Sequence, residues 1–383
     1  MKKVLFVIGN AEIGGTRTSL FNLLHHLSKE DDIEIYLYML SHYGSLMDRI
    51  PDNITVISEN WKINASLPGK PHASIVQESF HAILKIVKSI VGYKKLYAWI
   101  FKAAAKSLYE KYGEFDAVFG YQEGICNYFS AFVTARKHYA WIHNDIESWY
   151  VENEFEYETY NNSDGILFVA DTAQRKFCTK YPEFSKKCNV IKNTINCAEI
   201  KEKASQKCKT AKTENIRIYL SVGRVAKQKA FERIVPIARK LKESEASFRW
   251  YILGDGPERE HIQDMIKQNK LENEVIMLGS TDNPYKYMSN ADILVVTSIY
   301  ESQPMVILEA LTVGLPVITT RYSSAEEILK DKPYGIICEN NEEALANCLL
   351  NISEENVENM RLAASCYEYD NKKIVDSIRG LIL

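Results

Sequence analysis

The chain of 383 residues is 46% hydrophobic and 25% charged, and its formal net charge is −3. This length predicts two domains of ordinary size, and the composition is that of a globular protein with enough apolar residues for two cores. Because the net charge is close to zero, it argues neither for nucleic acid nor for an acidic partner, and we expect no nucleic acid among the partners.

The cysteines and the apolar runs indicate the compartment. The eight cysteines are scattered and form no CxxC pair, so neither a zinc site nor a disulfide framework is predicted, and a reducing compartment fits best. The apolar part of MKKVLFVIGN is too short for a signal peptide, and no uncharged apolar run approaches the length that spans a bilayer. We therefore expect a cytoplasmic protein, or one attached to the inner face of the membrane.

The amino-terminal half alternates short apolar runs with segments of helical spacing, which predicts a parallel α/β sheet. After the first strand, Gly14 and Gly15 form a glycine turn that lacks the GxGxxG of the dinucleotide fingerprint. Taken alone, these glycines fit a plain tight turn equally well. The predicted strands of this half are residues 4–8, 33–40, 54–57, 116–121, 138–142 and 165–170.

The segment from Lys70 to Lys111 is basic, rich in aromatic residues and helical in period. Two interpretations fit it. The segment lies on an anionic bilayer surface that carries the acceptor, or it is an ordinary helix pair packed on the sheet with its lysines in solvent.

A polar cluster that begins at His143 follows the strand at 138–142. In doubly wound sheets, ligands bind outside the carboxyl ends of the strands. A lone histidine in a loop, however, more often has no special role. We predict a first domain at 1–196, a polar and lysine-rich linker at 197–215, a second Rossmann-like domain at 216–365, and a final helical segment at 366–383.

The second domain opens with a buried strand, Arg217 to Val222, that leads to Gly223, Arg224 and Lys229. Two cations at the carboxyl end of a strand suit a diphosphate, because arginine binds it in a bidentate manner and lysine acts as a point charge. A solvated basic loop would look the same.

Two glutamates accompany a predicted helix that Pro304 begins and Gly314 ends. Glu301 lies in the loop before this helix, and Glu309 lies inside its apolar run, where a buried carboxylate needs partners. The free N–H groups at the helix start form a phosphate site; they belong to Met305, Val306 and Ile307. A nucleotide-sugar would suit all three features. Alternatively, Glu309 pairs with a core arginine and Glu301 is solvated.

Several motifs resemble one known family. The Glu-x7-Glu arrangement of Glu301 and Glu309 resembles the signature of family-4 retaining glycosyltransferases of bacterial polysaccharide biosynthesis. GRVAKQKAF resembles the family pattern GR-x4-KG-F, with Ala230 in place of glycine, and WIHND resembles the context of the family's amino-terminal histidine. The resemblance implies the α/β GT-B fold, with two Rossmann-like doubly wound domains facing a central cleft and a last helix that crosses back to the first domain.

The resemblance also implies roles for single residues. Glu301 would bind hydroxyls of the donor sugar, Glu309 the ribose, and His143 the donor sugar at the reaction centre, while Arg224 and Lys229 would hold the leaving phosphates. The nucleobase would lie near the strand that ends at Gly254. The implied catalytic residues are His143, Arg224, Lys229 and Glu301. The implied donor-binding residues are Gly14, Gly15, Gly223, Arg224, Lys229, Gly254, Ser302, Met305, Val306 and Glu309.

The resemblance therefore implies a retaining hexosyltransferase that moves a sugar from a nucleotide-sugar, by analogy a UDP-sugar, to a hydroxyl of a glycan or lipid-linked acceptor in surface polysaccharide or glycoconjugate synthesis. Ser302 and Gln303 replace the family's usual glycine and aromatic residue, which leaves the sugar open. No DxD triplet occurs, so no metal is implied, and we expect no cofactor besides the donor. The rival interpretations are a GT-B nucleotide-sugar epimerase and a non-catalytic partner subunit.

Overall fold

The computed structural model describes residues 1–12, 14–57, 92–144, 154–208 and 216–383. The chain divides into two compact units. The first contains Met1–Thr194 and Asn371–Leu383, and the second contains Ile195–Asp370. Both units are built as predicted, from parallel strands that alternate with helices along the chain.

The first unit contains a seven-stranded parallel sheet with the order β3-β2-β1-β4-β5-β6-β7. The strand order reverses between β1 and β4, so the loops after these two strands diverge and leave a crevice at the carboxyl edge, where ligands bind in sheets of this kind. The strands are β1 Lys2–Ile8, β2 Ile33–Met39, β3 Thr55–Ile57, β4 Ala117–Gly120, β5 His138–Ile142, β6 Gly165–Phe168 and β7 Cys188–Val190.

The helices of the first unit cover its sheet with apolar side chains. The last of them, α14, belongs to this unit although it ends the chain, because it buries Ile374, Ile378 and Ile382 on one face. Arg379 of the same helix pairs with Glu30 and Asp32. The helices are α1 Gly15–Leu27, α2 Tyr93–Tyr112, α3 Ile125–Ser130, α4 Glu154–Asn162, α5 Asp171–Lys180 and α14 Asn371–Ile382.

The basic segment is described only from residue 92 onward, and residues 70–91 lie outside the described part. One face of α2 packs into the core, where Leu96, Ile100 and Phe101 are buried. The opposite face carries exposed lysines and Trp99, whose side chain is 67% exposed. The inner face of α2 therefore packs on the sheet, as in the second interpretation of this segment. The outer face is basic and carries an exposed aromatic residue.

The second unit contains a six-stranded parallel sheet with the order β10-β9-β8-β11-β12-β13. Its order reverses between β8 and β11, which places a second crevice at the carboxyl ends of these strands. The strands are β8 Arg217–Val222, β9 Phe248–Leu253, β10 Val275–Gly279, β11 Ile293–Val296, β12 Val317–Thr320 and β13 Gly335–Cys338. The helices are α6 Cys197–Ala204, α7 Ile234–Glu243, α8 Arg259–Gln268, α9 Tyr285–Met288, α10 Met305–Thr312, α11 Ser323–Leu329, α12 Glu342–Asn351 and α13 Glu354–Ser365.

The region predicted as a linker, 197–215, contains a packed helix, α6. The side chain of Asn196 caps this helix by accepting a hydrogen bond from the Glu199 N–H at 3.2 Å. Ile200 is buried, and Glu199 pairs with Lys203 one turn later at 2.8 Å. Ile200 is the one buried residue of this helix, and most of the others are lysines and glutamates, so the composition of the helix resembled that of a linker. Residues 209–215 of the predicted linker lie outside the described part.

Candidate active site

Two glycines bring adjacent strand ends of the second unit into close contact. The Gly223 N–H donates to the carbonyl of Leu253 at 3.0 Å, and the Gly254 N–H donates to that of Gly279 at 2.8 Å. A Cβ atom at Gly254 would lie 1.9 Å from the carbonyl oxygen of Gly223, and Gly254 has a φ of +146°. Only glycine fits there, so the backbones of β8 and β9 end close together beside the crevice.

The loop after β8 is tied to the loop after β11. The hydroxyl of Thr297 donates to the Lys229 carbonyl at 2.7 Å, and the Ile299 N–H donates to the Gln228 carbonyl at 2.9 Å. Ala230 has a φ of +49°, which is the conformation that makes glycine the more common residue at this place in the motif. These bonds fix the position of Lys229 relative to the segment that carries Glu301.

Lys229 and Glu301 form an ion pair at the crevice. The Lys229 Nζ lies 2.5 Å from Glu301 Oε1, and the two side chains are 17% and 10% exposed. The hydroxyl of Ser298 donates to the same carboxylate oxygen at 2.7 Å, and that of Ser324 donates to the Glu301 carbonyl at 2.7 Å. Glu301 is therefore held in a fixed position, and the alternative of a solvated loop residue is wrong.

Arg224 lies directly after Gly223, and its side chain is exposed. The guanidinium is exposed beside the switch point, which is the place where the strand order reverses between β8 and β11. It is therefore accessible to an anionic ligand that enters the crevice.

Helix α10 begins after Pro304 and is buried along most of its length. Glu309 is half-buried, whereas the apolar sequence around it predicted a buried position, and the Tyr285 hydroxyl donates to its Oε1 at 3.4 Å. The N–H of Ile307 donates to the Pro304 carbonyl at 3.0 Å, so this amide was wrongly included in the predicted phosphate site. Met305 and Val306 are the first two residues of the helix, where N–H groups have no partner within it.

Ser302 and Gln303, which depart from the family pattern, lie half-buried in the turn between Glu301 and the helix. The Gln303 side-chain amide donates to the Tyr369 hydroxyl at 3.2 Å. The turn is therefore attached to the last residues of the second unit.

In the first unit, His143 follows β5 at the carboxyl edge of the sheet. Its ring packs against those of Tyr121 and Trp141, with centroids 4.7 and 5.8 Å away. Burial lowers the pKa of His143 to about 3, so the imidazole is neutral at physiological pH. Both ring nitrogens are buried without a hydrogen-bond partner among the described residues, which is unusual for a polar group.

Gly14 and Gly15 lie at the start of α1, after β1. A Cβ atom at Gly15 would meet no other atom within 4 Å, and one at Gly14 would lie 3.3 Å from Nη1 of Arg17. The turn is thus open at its surface, and the structure places it at the switch point of the first unit.

Sequence reasoning missed Glu123, which follows β4 as His143 follows β5. Its side chain accepts hydrogen bonds from the His143 N–H and the Asn144 side chain. The rule that found His143, polar residues at the carboxyl end of a strand, would also have found Glu123.

The second unit matches the model of a known family. The family described as "Glycosyl transferases group 1" matches residues 202–372, which is nearly the whole second unit. Residues 202–372 are thus similar to the group 1 glycosyl transferases. This match confirms the family resemblance that the motifs around Arg224, Lys229, Glu301 and Glu309 predicted.

Curated relatives are similar over part of their length. The chain is 30% identical over 172 residues to the N-acetylgalactosamine-N,N'-diacetylbacillosaminyl-diphospho-undecaprenol 4-alpha-N-acetylgalactosaminyltransferase of Campylobacter jejuni, covering 44% of this chain and 45% of that protein. It is 33% identical over 144 residues to the putative colanic acid biosynthesis glycosyltransferase WcaL of Escherichia coli, covering 35% and 36%. These matches span less than half the length of either relative.

Solved structures share the fold of both units. A TarM mutant of S. aureus, solved with Fondaparinux, alpha-GlcNAc-glycerol and UDP, has a TM-score of 0.74 at 14% identity, and the match covers 100% of both chains. HepE of Anabaena, solved with UDP and glucose, has a TM-score of 0.68 at 14% identity and 99% coverage of both. The predicted α/β fold of the GT-B type, with two Rossmann-like units, is confirmed.

The described residues lack two features. They contain no helix that is both long and apolar enough to cross a membrane. They also contain no group of three or more His, Cys, Asp or Glu side chains arranged to hold a metal ion.

Proposed function

We propose that the protein transfers a sugar, with retention of configuration, from a nucleotide-sugar to a hydroxyl of a glycan or lipid-linked acceptor in surface polysaccharide or glycoconjugate synthesis. The observation that carries this proposal is the ion pair of Lys229 and Glu301 at the switch point of the second unit, which is similar to the group 1 glycosyl transferases. In this proposal the Lys229 ammonium binds a phosphate of the donor and the Glu301 carboxylate binds hydroxyls of its sugar. The phosphate and the sugar are joined by the bond that the transfer breaks.

Within the second unit, cationic side chains and backbone N–H groups would stabilise the negative charge that develops during transfer. As the sugar leaves, negative charge grows on the diphosphate, and preorganised donors stabilise it without a metal. A lysine ammonium has three N–H donors, so Lys229 can keep its bond to Glu301 while it binds a phosphate oxygen. The guanidinium of Arg224 and the first amides of α10, from Met305 and Val306, would supply the other donors.

The remaining site residues complete the donor site. Glu309 would accept from the ribose hydroxyls, because its carboxylate is half-buried at the side of α10. Gly223 and Gly254 would let the nucleobase approach the strand ends. UDP is the preferred nucleotide, since the solved relatives TarM and HepE were found with UDP. We expect no cofactor besides the donor.

The acceptor would bind to the first unit at its switch point, near Gly14, Gly15 and His143. A lipid-linked acceptor is favoured because the name of the Campylobacter jejuni relative describes a transferase that acts on a diphospho-undecaprenol glycan. The protein would then work at the cytoplasmic face of the membrane.

The proposal is tested by incubating the purified protein with UDP-, GDP- and ADP-sugars and a diphospho-polyprenol glycan. Product NMR should show one α-linked sugar added from an α-linked donor. Inversion at the anomeric carbon would contradict retention. A changed sugar nucleotide formed without acceptor would instead identify an epimerase, and no product with any donor would support a non-catalytic subunit.

We further propose that the outer face of α2 binds an anionic membrane surface, through Trp99 and three exposed lysines. Each lysine near such a surface contributes about 1 kcal/mol, so reversing Lys95, Lys102 and Lys106 to glutamate should weaken liposome binding by about 10²-fold or more.

Co-sedimentation with phosphatidylserine liposomes measures this effect. The matched control reverses three exposed lysines on other helices, Lys180, Lys267 and Lys372, and should bind nearly as well as the wild type. Binding that is equal for neutral and anionic liposomes, or equal loss in both triple variants, would remove the assignment to α2.

A further inference from the structure

One buried carboxylate holds both residues that follow β5. Glu123 is 8% exposed, and its Oε2 accepts a hydrogen bond from the His143 backbone N–H at 2.9 Å. Its Oε1 accepts from the side-chain amide of Asn144. Since the ring of His143 also packs on Tyr121, the backbone and the ring of His143 are both fixed by residues from the end of β4.

A second buried carboxyl group lies beside the first. Glu156 on α4 is 3% exposed and accepts a hydrogen bond from the Tyr160 hydroxyl at 2.5 Å. The backbone N–H of Gly124, the neighbour of Glu123, also donates to it. Burial, and to a smaller extent the charge of Glu123, raise the pKa of Glu156 to about 7 although these hydrogen bonds oppose the shift.

Most of the titratable groups around the two carboxyls are uncharged near pH 7. Burial raises the pKa of Glu123 itself, lowers that of His143 to about 3 and raises that of Cys126 to about 12. Burial also raises the pKa of Tyr160. Near pH 7 these last three are neutral. The titratable groups that interact with the pair are His143 after β5, Cys126 on α3 and Tyr160 on α4, and the charge of Arg17 on α1 acts on Cys126.

Two interacting carboxyls titrate as a pair. When both are charged, their repulsion in a buried site is unfavourable, and a shared proton removes it.

We propose that Glu123 is a positioning residue that holds His143 in place for glycosyl transfer, and that Glu123 and Glu156 together hold one proton. The first part rests on the proposed function and on the role at the reaction centre that the family resemblance implies for His143. The second part concerns the folded protein alone and does not depend on any substrate.

The sign of the pH effect follows from the direction of the shift. A carboxyl group whose pKa is higher in the folded than in the unfolded state contributes stability that is fully present below the unfolded pKa. For Glu156 this contribution is lost as the pH rises through about 7. The wild type should therefore lose stability relative to Glu156→Gln, which cannot ionise, as the pH increases.

Thermal unfolding at about pH 5.5 and about pH 8.5 tests the shared proton. The melting temperature of Glu156→Gln minus that of the wild type should be more positive at the higher pH, and Glu123→Gln should show the same trend because it removes the repelling charge. The control is Glu183→Gln. Glu183 is an exposed carboxylate that accepts a hydrogen bond from Tyr157, the residue after Glu156 on α4, so its replacement should show no trend. Differences that do not change with pH would overturn the shared proton.

Hydrogen–deuterium exchange of the His143 amide tests the positioning role without substrate. Glu123→Ala removes the acceptor and should exchange roughly tenfold faster or more, which is the scale of one lost hydrogen bond. Glu123→Gln should stay close to the wild type, because its amide oxygen still accepts from His143 while its amide nitrogen can donate to a rotated Asn144. Unchanged exchange in the alanine variant would overturn the positioning role.

Transfer kinetics link the positioning role to the reaction. Glu123→Ala should lower kcat by about tenfold with a nearly unchanged KM for the donor, and Glu123→Gln should restore most of kcat. If the alanine variant does not fold, the glutamine variant decides the question: a large loss of kcat with normal exchange would contradict the role. If no donor supports transfer, the proposed function fails while the unfolding and exchange experiments still test the pair.

Discussion

Replacing Lys229 by alanine is expected to lower the turnover of glycosyl transfer by about 10²-fold or more, the scale for losing one preorganised donor to developing charge. The side chain of Lys229 is only 17% exposed and its ammonium already lies against Glu301, so no ordering is needed when the leaving phosphate forms. The variant also leaves Glu301 with a buried charge and no lysine partner, which disturbs the group proposed for the sugar hydroxyls.

Lys227→Ala is the matched control. Lys227 lies two residues earlier in the same turn, but its side chain is exposed, so its removal should change turnover by less than about threefold. Arg224→Ala should resemble Lys229→Ala if both cations hold the diphosphate. Near-normal turnover in Lys229→Ala, measured with saturating donor and acceptor, would contradict the role of the ion pair.

Replacing Gly254 by alanine is expected to destabilise the protein by about 3 kcal/mol or more, because two penalties add. Its φ of +146° is strained for any residue with a Cβ atom, and that atom would lie 1.9 Å from the Gly223 carbonyl oxygen. The strand ends of β8 and β9 would have to separate. Thermal unfolding should show a melting temperature lower by roughly 5–10 °C.

Gly380→Ala serves as the opposite control. Gly380 lies in helix α14, and a Cβ atom there would meet nothing within 4 Å, so alanine should stabilise the helix slightly. A Gly254→Ala protein that melts as the wild type does would show that the backbones of the two strand ends have room to separate.

The strands could be predicted well because buried parallel strands are short apolar runs with turn residues at their ends. Val4 to Ile8 and His138 to Ile142 were predicted close to the bounds that the structure has. Helix α6 was missed because its packing depends on one buried residue, Ile200, among lysines and glutamates. A composition that resembles a linker hides such a helix.

The ion pair in the site depends on strand order, which local patterns do not determine. Lys229 and Glu301 are 72 positions apart, and they meet because β8 and β11 are neighbours in the sheet. Their residue types and their places after strand ends were readable from the sequence, but their contact was not. Likewise, an apolar helix sequence predicted that Glu309 is buried, whereas the side of α10 that carries it is partly open.

The pair Glu123 and Glu156 shows the same limit more strongly. Glu123 follows a strand end, which is a readable place, but Glu156 lies on a helix with many polar residues and resembles a surface residue. Only the packing of α4 against the loop after β4 buries both carboxyls and brings Gly124 to Glu156.

The most direct test of the account is a calorimetric titration of UDP, GDP and ADP into the wild type and the variants Arg224→Ala, Lys229→Ala and Lys227→Ala. We predict that one nucleoside diphosphate, UDP first, binds to the wild type and to Lys227→Ala with similar affinity. It should bind at least about tenfold more weakly to the other two variants, the scale of one charge-assisted hydrogen bond. Equal binding to all four proteins, or no binding of any nucleoside diphosphate to the wild type, would contradict the assignment of the donor site to the crevice between β8 and β11.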